Sequence, residues 1–211
     1  MIRILTIFII LFNIDQFSFA KERKVATENL ISEIRSFKPS LSKADVEIVQ
    51  TKSGDQLASA TVTDSQDETN SKTEFYVKEK GHKEWRYLDV LKLDSATFEF
   101  RPDGILKVAI EEGGSVSSEA TTLWRFQNGK LGIIGQDSVL YNRPALFKNS
   151  KKSPFKTTTS TNFVTGKKTI TSEFANEKET KSECKFNPIK FQKQKISELT
   201  SEGATEPNCQ K

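Results

Sequence analysis

Residues 96–110, Ala-Thr-Phe-Glu-Phe-Arg-Pro-Asp-Gly-Ile-Leu-Lys-Val-Ala-Ile, decide the fold class. Ala96 to Phe100 alternates polar with apolar, which places one set of side chains on a buried face and the other in water. Pro102-Asp103-Gly104 is turn chemistry, with proline preset for the first central position of a β-turn, and Ile105 to Ile110 then alternates again. Two strands joined this tightly must pair antiparallel. Downstream, Leu123-Trp124-Arg125-Phe126 resumes the pattern, and Asn128-Gly129 offers the left-handed dihedrals of a tight hairpin before a return strand, Lys130 to Gln136. Gly132 and Gly135 interrupt that return strand, which marks a bulge, a sheet bend or room for a ligand.

Working outward, Thr157–Val164 and Lys167–Phe174 flank Thr165-Gly166 as a further hairpin, and Cys184 falls in a final short strand. Upstream, Leu57 to Thr63 alternates, and Asp64 to Ser71 is polar and turn-like. Thr73–Lys78 and Trp85–Leu93 are neighbours across a Lys80-Gly81-His82 turn. The period is helical only near the start of this region: Thr27 caps a segment with Leu30, Ile31, Ile34 and Phe37 on one stripe, stopped by Pro39. Arg143 to Pro154 is an irregular, exposed connection, and Ile189 to Leu199 has the spacing of a basic amphipathic helix. The chain is therefore expected to be mainly β (α+β), an antiparallel sheet of successive hairpins with one N-terminal helix packed on it and a disulfide-tethered C-terminal tail. Residues 21–187 form the domain and 188–211 a basic tail, loose beyond Glu202 except at Cys209.

The first twenty residues carry an address. Arg3 precedes an unbroken apolar run, Ile7 to Phe12, closed by Asn13, Asp15 and Gln16 and followed by Ser18-Phe19-Ala20. A basic start, a short apolar run and a small-x-small site make an export signal, whereas a spanning helix needs about 20 apolar residues. An uncleaved anchor is the alternative. The mature protein is expected to be periplasmic or secreted, with no integral membrane segment after cleavage and no lipid anchor, since no cysteine follows the apolar run. Cys184 and Cys209 are the only cysteines, and an even count in an exported chain favours a disulfide.

Hydrophobic residues make up 35% of the chain and charged residues 28%, with fifteen Phe against one Met, so aromatic rings must fill much of the core. Charge is unevenly distributed. Arg143 to Thr200 holds 13 Lys and Arg against five Glu, a net +8, while Lys21 to Asn142 balances at −3. Clustered positive charge gathers acidic partners. Lys148, Lys151, Lys152, Lys167 and Lys168 are the candidate contacts to an anionic envelope component or an acidic protein; nucleic acid is a poor partner for an exported protein. A solvated lysine-rich surface with no specific partner is the alternative.

Catalytic chemistry is thin. His82 is the only imidazole, in a turn between Gly81 and Lys83, and reads as an exposed turn histidine rather than the base of a triad. Glu99, Glu111, Glu112 and Asp137 are available carboxylates, but no spacing forces two together. Two thiols and one histidine make no four-ligand metal set, and the cysteines are not spaced as a redox pair. No phosphate loop, nucleophile elbow or calcium loop appears, so no cofactor is expected.

Trp124-Arg125-Phe126, Asn128-Gly129, Leu131 to Ile134-Gly135, and then Thr157 to Thr161 with Thr165-Gly166-Lys167 resemble a loose group of small, uncharacterised, exported bacterial β-rich proteins. These share an aromatic-Arg-aromatic strand, a Gly turn, a Leu-Ile-Gly return and a Thr-rich strand ending Thr-Gly-Lys. The resemblance covers about residues 98–170; Gln136 replaces an expected aromatic, and the Arg143–Pro154 connection is long for the group. It implies an exported β-rich domain and no reaction. Function is expected to be non-catalytic binding of an anionic envelope component or acidic protein. The alternatives are an inhibitor or immunity-type protein against an exported toxin or hydrolase and, less favoured, an enzyme.

Overall fold

The computed structural model describes residues 27–63, 71–93, 96–112, 116–142, 154–174, 178–188, 194–200 and 202–209. The predicted export signal and the 143–153 connection lie outside these residues. Among the described residues eleven strands form two antiparallel sheets. Sheet one contains β1 Asp45–Gln50, β2 Gln56–Thr63, β3 Ser71–Lys78 and β4 Arg86–Leu91, in that order. Sheet two runs from β5 Ala96–Phe100 through β6 Ile105–Glu112, β7 Val116–Gln127, β8 Lys130–Asn142, β9 Lys156–Asn162 and β10 Lys167–Glu173 to β11 Thr180–Lys185. Every bonded neighbour is the next strand in sequence, so the fold is mainly β, a meander of hairpins as the turns predict, divided in two between β4 and β5.

The predicted turns close these hairpins. Asn128 and Gly129 adopt φ of 50° and 73°, and Gln127 pairs with Lys130 across them. At Pro102-Asp103-Gly104, the Arg101 amide bonds the Ile105 carbonyl at 2.8 Å. The interruption at Gly132 and Gly135 is a bulge: Leu123 faces Gly135 while Trp124 faces Ile133, leaving Ile134 without an opposite partner. Gly166 meets a different demand, because a Cβ there would lie 2.2 Å from the Phe186 carbonyl oxygen. That close approach lets the chain after β11 bond back onto the β9–β10 turn, Phe186 N–H to Gly166 oxygen at 2.9 Å.

Residues 27–37 are α-helical (α1), and Lys38 turns extended before Pro39. Ile34 is fully buried and packs with Leu41, Ala44, Val46, Ala58, Ala60, Tyr76 and Trp85, so α1 covers one face of sheet one. Phe37, expected on the same stripe, is 47% exposed and touches Tyr76 edge-on. The opposite face presents Leu57, Phe75, Val77 and Leu91 to sheet two, where they meet Phe100, Leu106, Val108, Ile110, Trp124 and Ile133. Phe75 sits at 5.5 Å, edge-to-face, from both Phe98 and Phe100. Each side chain so buried contributes about 1.5–3 kcal/mol. Trp124 brings a polar group inside, and its Nε1–H donates to Thr122 Oγ1 at 2.9 Å.

The C-terminal segment is more than tethered. Ile196, Leu199 and Ala204 join the main core, the last of them within the stretch past Glu202 that the sequence predicted to be loose. No α-helix covers residues 194–199; a short 3-10 turn, Ile196–Glu198, stands there. Gln136 on β8 holds this return, accepting from the Ala204 amide at 2.7 Å and donating to its carbonyl oxygen. Cys184 and Cys209 form a disulfide with Cα atoms 5.7 Å apart. Closing a loop of 25 residues restricts the unfolded chain by about 3 kcal/mol. Replacing both cysteines by serine should therefore lower the unfolding free energy by about 3 kcal/mol in urea titrations; a loss below about 0.5 kcal/mol would mean that packing alone retains the segment.

Candidate anion-binding cleft

The concave feature beside the strand edge of sheet one begins with β4. The register of β3 against β4 shifts between Phe75 and Tyr76, so Asp89 opposes Phe75 while Tyr87 opposes Tyr76. This bulge brings Arg86, Tyr87, Leu88 and Asp89 together along one cleft of about 400 Å³. The β7–β8 turn adds Gly129, Lys130 and Leu131, and the returning C-terminal segment adds Gln194, Lys195 and Ser197.

Each wall is fixed by identifiable contacts. Arg86 Nη2 donates to the Gly129 carbonyl oxygen and to Glu79 Oε1, the latter at 2.9 Å, which pins the hairpin turn to sheet one. A Cβ at Gly129 would sit 2.8 Å from both the guanidinium and the Glu79 carboxylate, so position 129 needs glycine for space as well as for its positive φ. Asp89 accepts the Ile196 amide at 2.8 Å and the Val90 amide at 2.9 Å, which holds the C-terminal segment against β4. Gln194 Nε2 donates to the Thr205 carbonyl oxygen at 2.8 Å. The cationic groups are Arg86, half engaged by Glu79, and Lys130 and Lys195, both exposed and without an ion-pair partner among the described residues.

Behind Tyr87 stands a buried polar network. Tyr87 is 45% exposed and touches Tyr76 edge-on at 5.8 Å. The Tyr76 hydroxyl donates to Glu74, which also pairs with Lys38 and, at 3.2 Å, with Lys72. Lys38 Nζ lies 5.7 Å from the Tyr76 ring centre and 6.0 Å from that of Tyr87. Burial pushes the Glu74 carboxyl up, but hydrogen bonds from Lys38, Tyr76 and Lys72 outweigh it and hold the group at about 2. Burial, then the nearby Asp89 and Glu74 charges, raises the Tyr87 hydroxyl above its ordinary value, keeping it a neutral donor.

The two described lysines of those singled out by sequence, Lys167 and Lys168, do not line this cleft. Lys148, Lys151 and Lys152 lie outside the described residues. Lys167 and Lys168 are adjacent on β10 and so point to opposite faces; Lys167 pairs with Glu183 at 3.0 Å, and Lys168, its side chain only 14% exposed, with Glu206. His82 is exposed in its turn, with its amide bonded to the Glu79 carbonyl oxygen. Glu99, Glu111 and Asp137 are exposed on different strands of sheet two, and the side chain of Glu112 is not described. Among the described residues no three His, Cys, Asp or Glu side chains gather as a metal site, and no helix is long and apolar enough to cross a membrane. Arg86, Lys130 and Lys195 escape a sequence reading because they come from three separate elements, brought together only by the sheet division and the return of the chain end.

No family model, curated protein or solved structure matches the chain, so the resemblance over residues 98–170 rests on those residues alone.

The depressed Glu74 carboxyl links stability to pH. Its folded value is below the unfolded one near 4.5, so its contribution is fully present above pH 4.5 and is lost as pH falls toward 2. The shift corresponds to about 3 kcal/mol. In urea titrations from pH 6 to 2, Glu74→Gln should be less stable than the parent near neutrality, and the gap should narrow as pH falls through that window; a constant gap would remove the carboxylate from the account.

Proposed function

We propose that this protein is an exported, non-catalytic binding module that holds an anionic partner of the cell envelope, with the Arg86–Lys130–Lys195 cleft as its principal contact. The observation that carries this reading is the pair of exposed ammonium groups, Lys130 and Lys195, set at one cleft with neither in an ion pair among the described residues, although the Glu198 carboxylate accepts the Lys195 backbone amide at 3.1 Å. Lys167 and Lys168 on β10, by contrast, are already matched by Glu183 and Glu206. Cations left unmatched beside a concavity favour negative ligands and speed their encounter, with a strong dependence on salt. Export is supported by the predicted signal and is compatible with the Cys184–Cys209 bond, which an oxidising compartment maintains.

The double variant Lys130→Glu/Lys195→Glu should weaken binding to a glutamate-rich peptide, to polygalacturonate or to phosphatidylglycerol vesicles at least about tenfold at low salt. Folding stability should stay within about 0.5 kcal/mol, since both side chains are exposed. Reversal at Lys148, Lys151 and Lys152 is the parallel arm. Loss of binding there and not at the cleft would move the anion site to that segment, and unchanged binding in both arms would overturn the reading.

A further inference from the structure

We infer that the cleft holds one single-chain anionic amphiphile, its hydrocarbon stem laid on Leu88 and Leu131 and its carboxylate or phosphate head met by Arg86, Lys130 and Lys195; this rests on the anion-binding reading of the cleft. Cross-strand partners share a face of their sheet, so the β3–β4 register tells where the wall residues stand. Arg86 opposes Val77 and Asp89 opposes Phe75, and both partners belong to the core between the sheets. Leu88 is the extra residue of the bulge, without an opposite partner, and packs half-buried on that same core. Leu131, on β8 opposite Phe126, is half-buried against it as well. The cleft is thus a mouth of the space between the sheets, floored by two leucines that touch the core on one side and the cleft on the other.

The cations border that floor. Lys130 precedes Leu131 in sequence, and Lys195 precedes Ile196, which is buried in the same core. Arg86 spends only Nη2 on Glu79 and Gly129, which leaves Nε and Nη1 to donate. Much of the remaining polar lining is already committed: Asp89 to the Ile196 and Val90 amides, and the Gln194 amide nitrogen to the Thr205 carbonyl oxygen. What is left to meet a guest is mainly hydrocarbon rimmed by positive charge. Small-molecule sites have this form, an apolar concavity in which a few polar groups fix orientation.

The same lining selects among anions. A polyanion that met only the three cations would leave both leucines wet, whereas a hydrocarbon stem displaces that water and extends the core outward. The head group then forms charge-assisted hydrogen bonds, which are stronger beside an apolar floor than in open water. Size sets the third limit. At about 400 Å³ the cleft stands near the lower end of small-molecule sites, which suits one short stem with its head; a bilayer surface cannot enter it.

The test titrates the disulfide-bonded protein with butanoate, hexanoate, octanoate and decanoate below their micelle concentrations, with octyl phosphate, and with octanol as the uncharged control. Calorimetry reads affinity, and NMR follows the leucine methyl groups. The expected result is an affinity that rises about threefold per added methylene until the stem fills the cleft, and octanol weaker than octanoate by at least about tenfold. Octanoate should shift the Leu88 and Leu131 methyls, and its binding should be lost in Lys130→Glu/Lys195→Glu. Tighter octyl phosphate would identify a phosphate-headed lipid and tighter octanoate a fatty acid, and either order supports the inference. Equal affinity along the series, abolished all the same by the charge reversal, would overturn the amphiphile and leave the anion cleft standing. Failure of the alkyl anions where the glutamate-rich peptide binds would do the same. Octanoate binding that survives the charge reversal, or leaves both leucines unmoved, would put the guest elsewhere and overturn the inference. Failure of the alkyl anions, the peptide, polygalacturonate and anionic vesicles alike would overturn the parent reading.

Discussion

Sheet one buries both of its faces, and the composition of its two central strands follows from that constraint. β2 carries Leu57, Ala58, Ser59 and Ala60 buried in succession, and β3 carries Phe75, Tyr76 and Val77 likewise. The large residues, Leu57, Phe75 and Val77, face sheet two, where volume must be filled. The small ones, Ala58 and Ala60, face α1 and leave room for Ile34 to seat fully. A single-faced sheet would tolerate polar residues at alternate positions, whereas here the polar members must find partners. Glu74 does so through Tyr76, Lys38 and Lys72, tying the end of α1 to the sheet. Removing one partner of such a buried charge leaves the other uncompensated, which costs more than the pair contributes.

That same constraint places the cleft. Because sheet one is sandwiched, its only exits to solvent are its edges and ends, and the bulge in β4 turns four residues toward one of them. Tyr87 is positioned from behind by Tyr76, whose hydroxyl is in turn held by Glu74, so the polar network inside the α1 layer supports a wall of the cleft outside it. On the other wall Arg86 bridges to Gly129, coupling the two sheets through a turn that only glycine fits.

Local chemistry was legible in the sequence wherever a turn or a period of two governed it. Asn128-Gly129, Pro102-Asp103-Gly104 and Thr165-Gly166 each close the hairpin they predict, and the two cysteines pair. β1 was missed although Val46 and Ile48 alternate with Asp45 and Glu47 and Ser53-Gly54-Asp55 closes a hairpin to β2; its apolar residues are few and follow directly on the segment after the helix. The division into two sheets was hidden as well, since a meander gives the same string of hairpins whether or not its bonding is interrupted between β4 and β5. Site residues were the least visible. Charge counting pointed to the basic third, yet Lys167 and Lys168 are neutralised across the sheet by Glu183 and Glu206, residues whose proximity only the strand register and the returning chain end reveal.

The C-terminal segment does two jobs with one set of contacts. The inner face of sheet two turns polar past β7, at Gln136, Thr161 and Lys168, and apolar packing could not cover it. The returning chain supplies what two of those groups need: main-chain partners from Ala204 for Gln136 and the Glu206 carboxylate for Lys168. Buried polar groups without such partners would each cost about 1–3 kcal/mol, so the β8–β10 face and the segment depend on each other. Held there, and anchored at its end by Cys209, the segment also brings Ile196 to Asp89 and with it Lys195 and Ser197 to the cleft. Cleft geometry and core completion are thus one event, and the cleft has its third wall only while the chain end is docked.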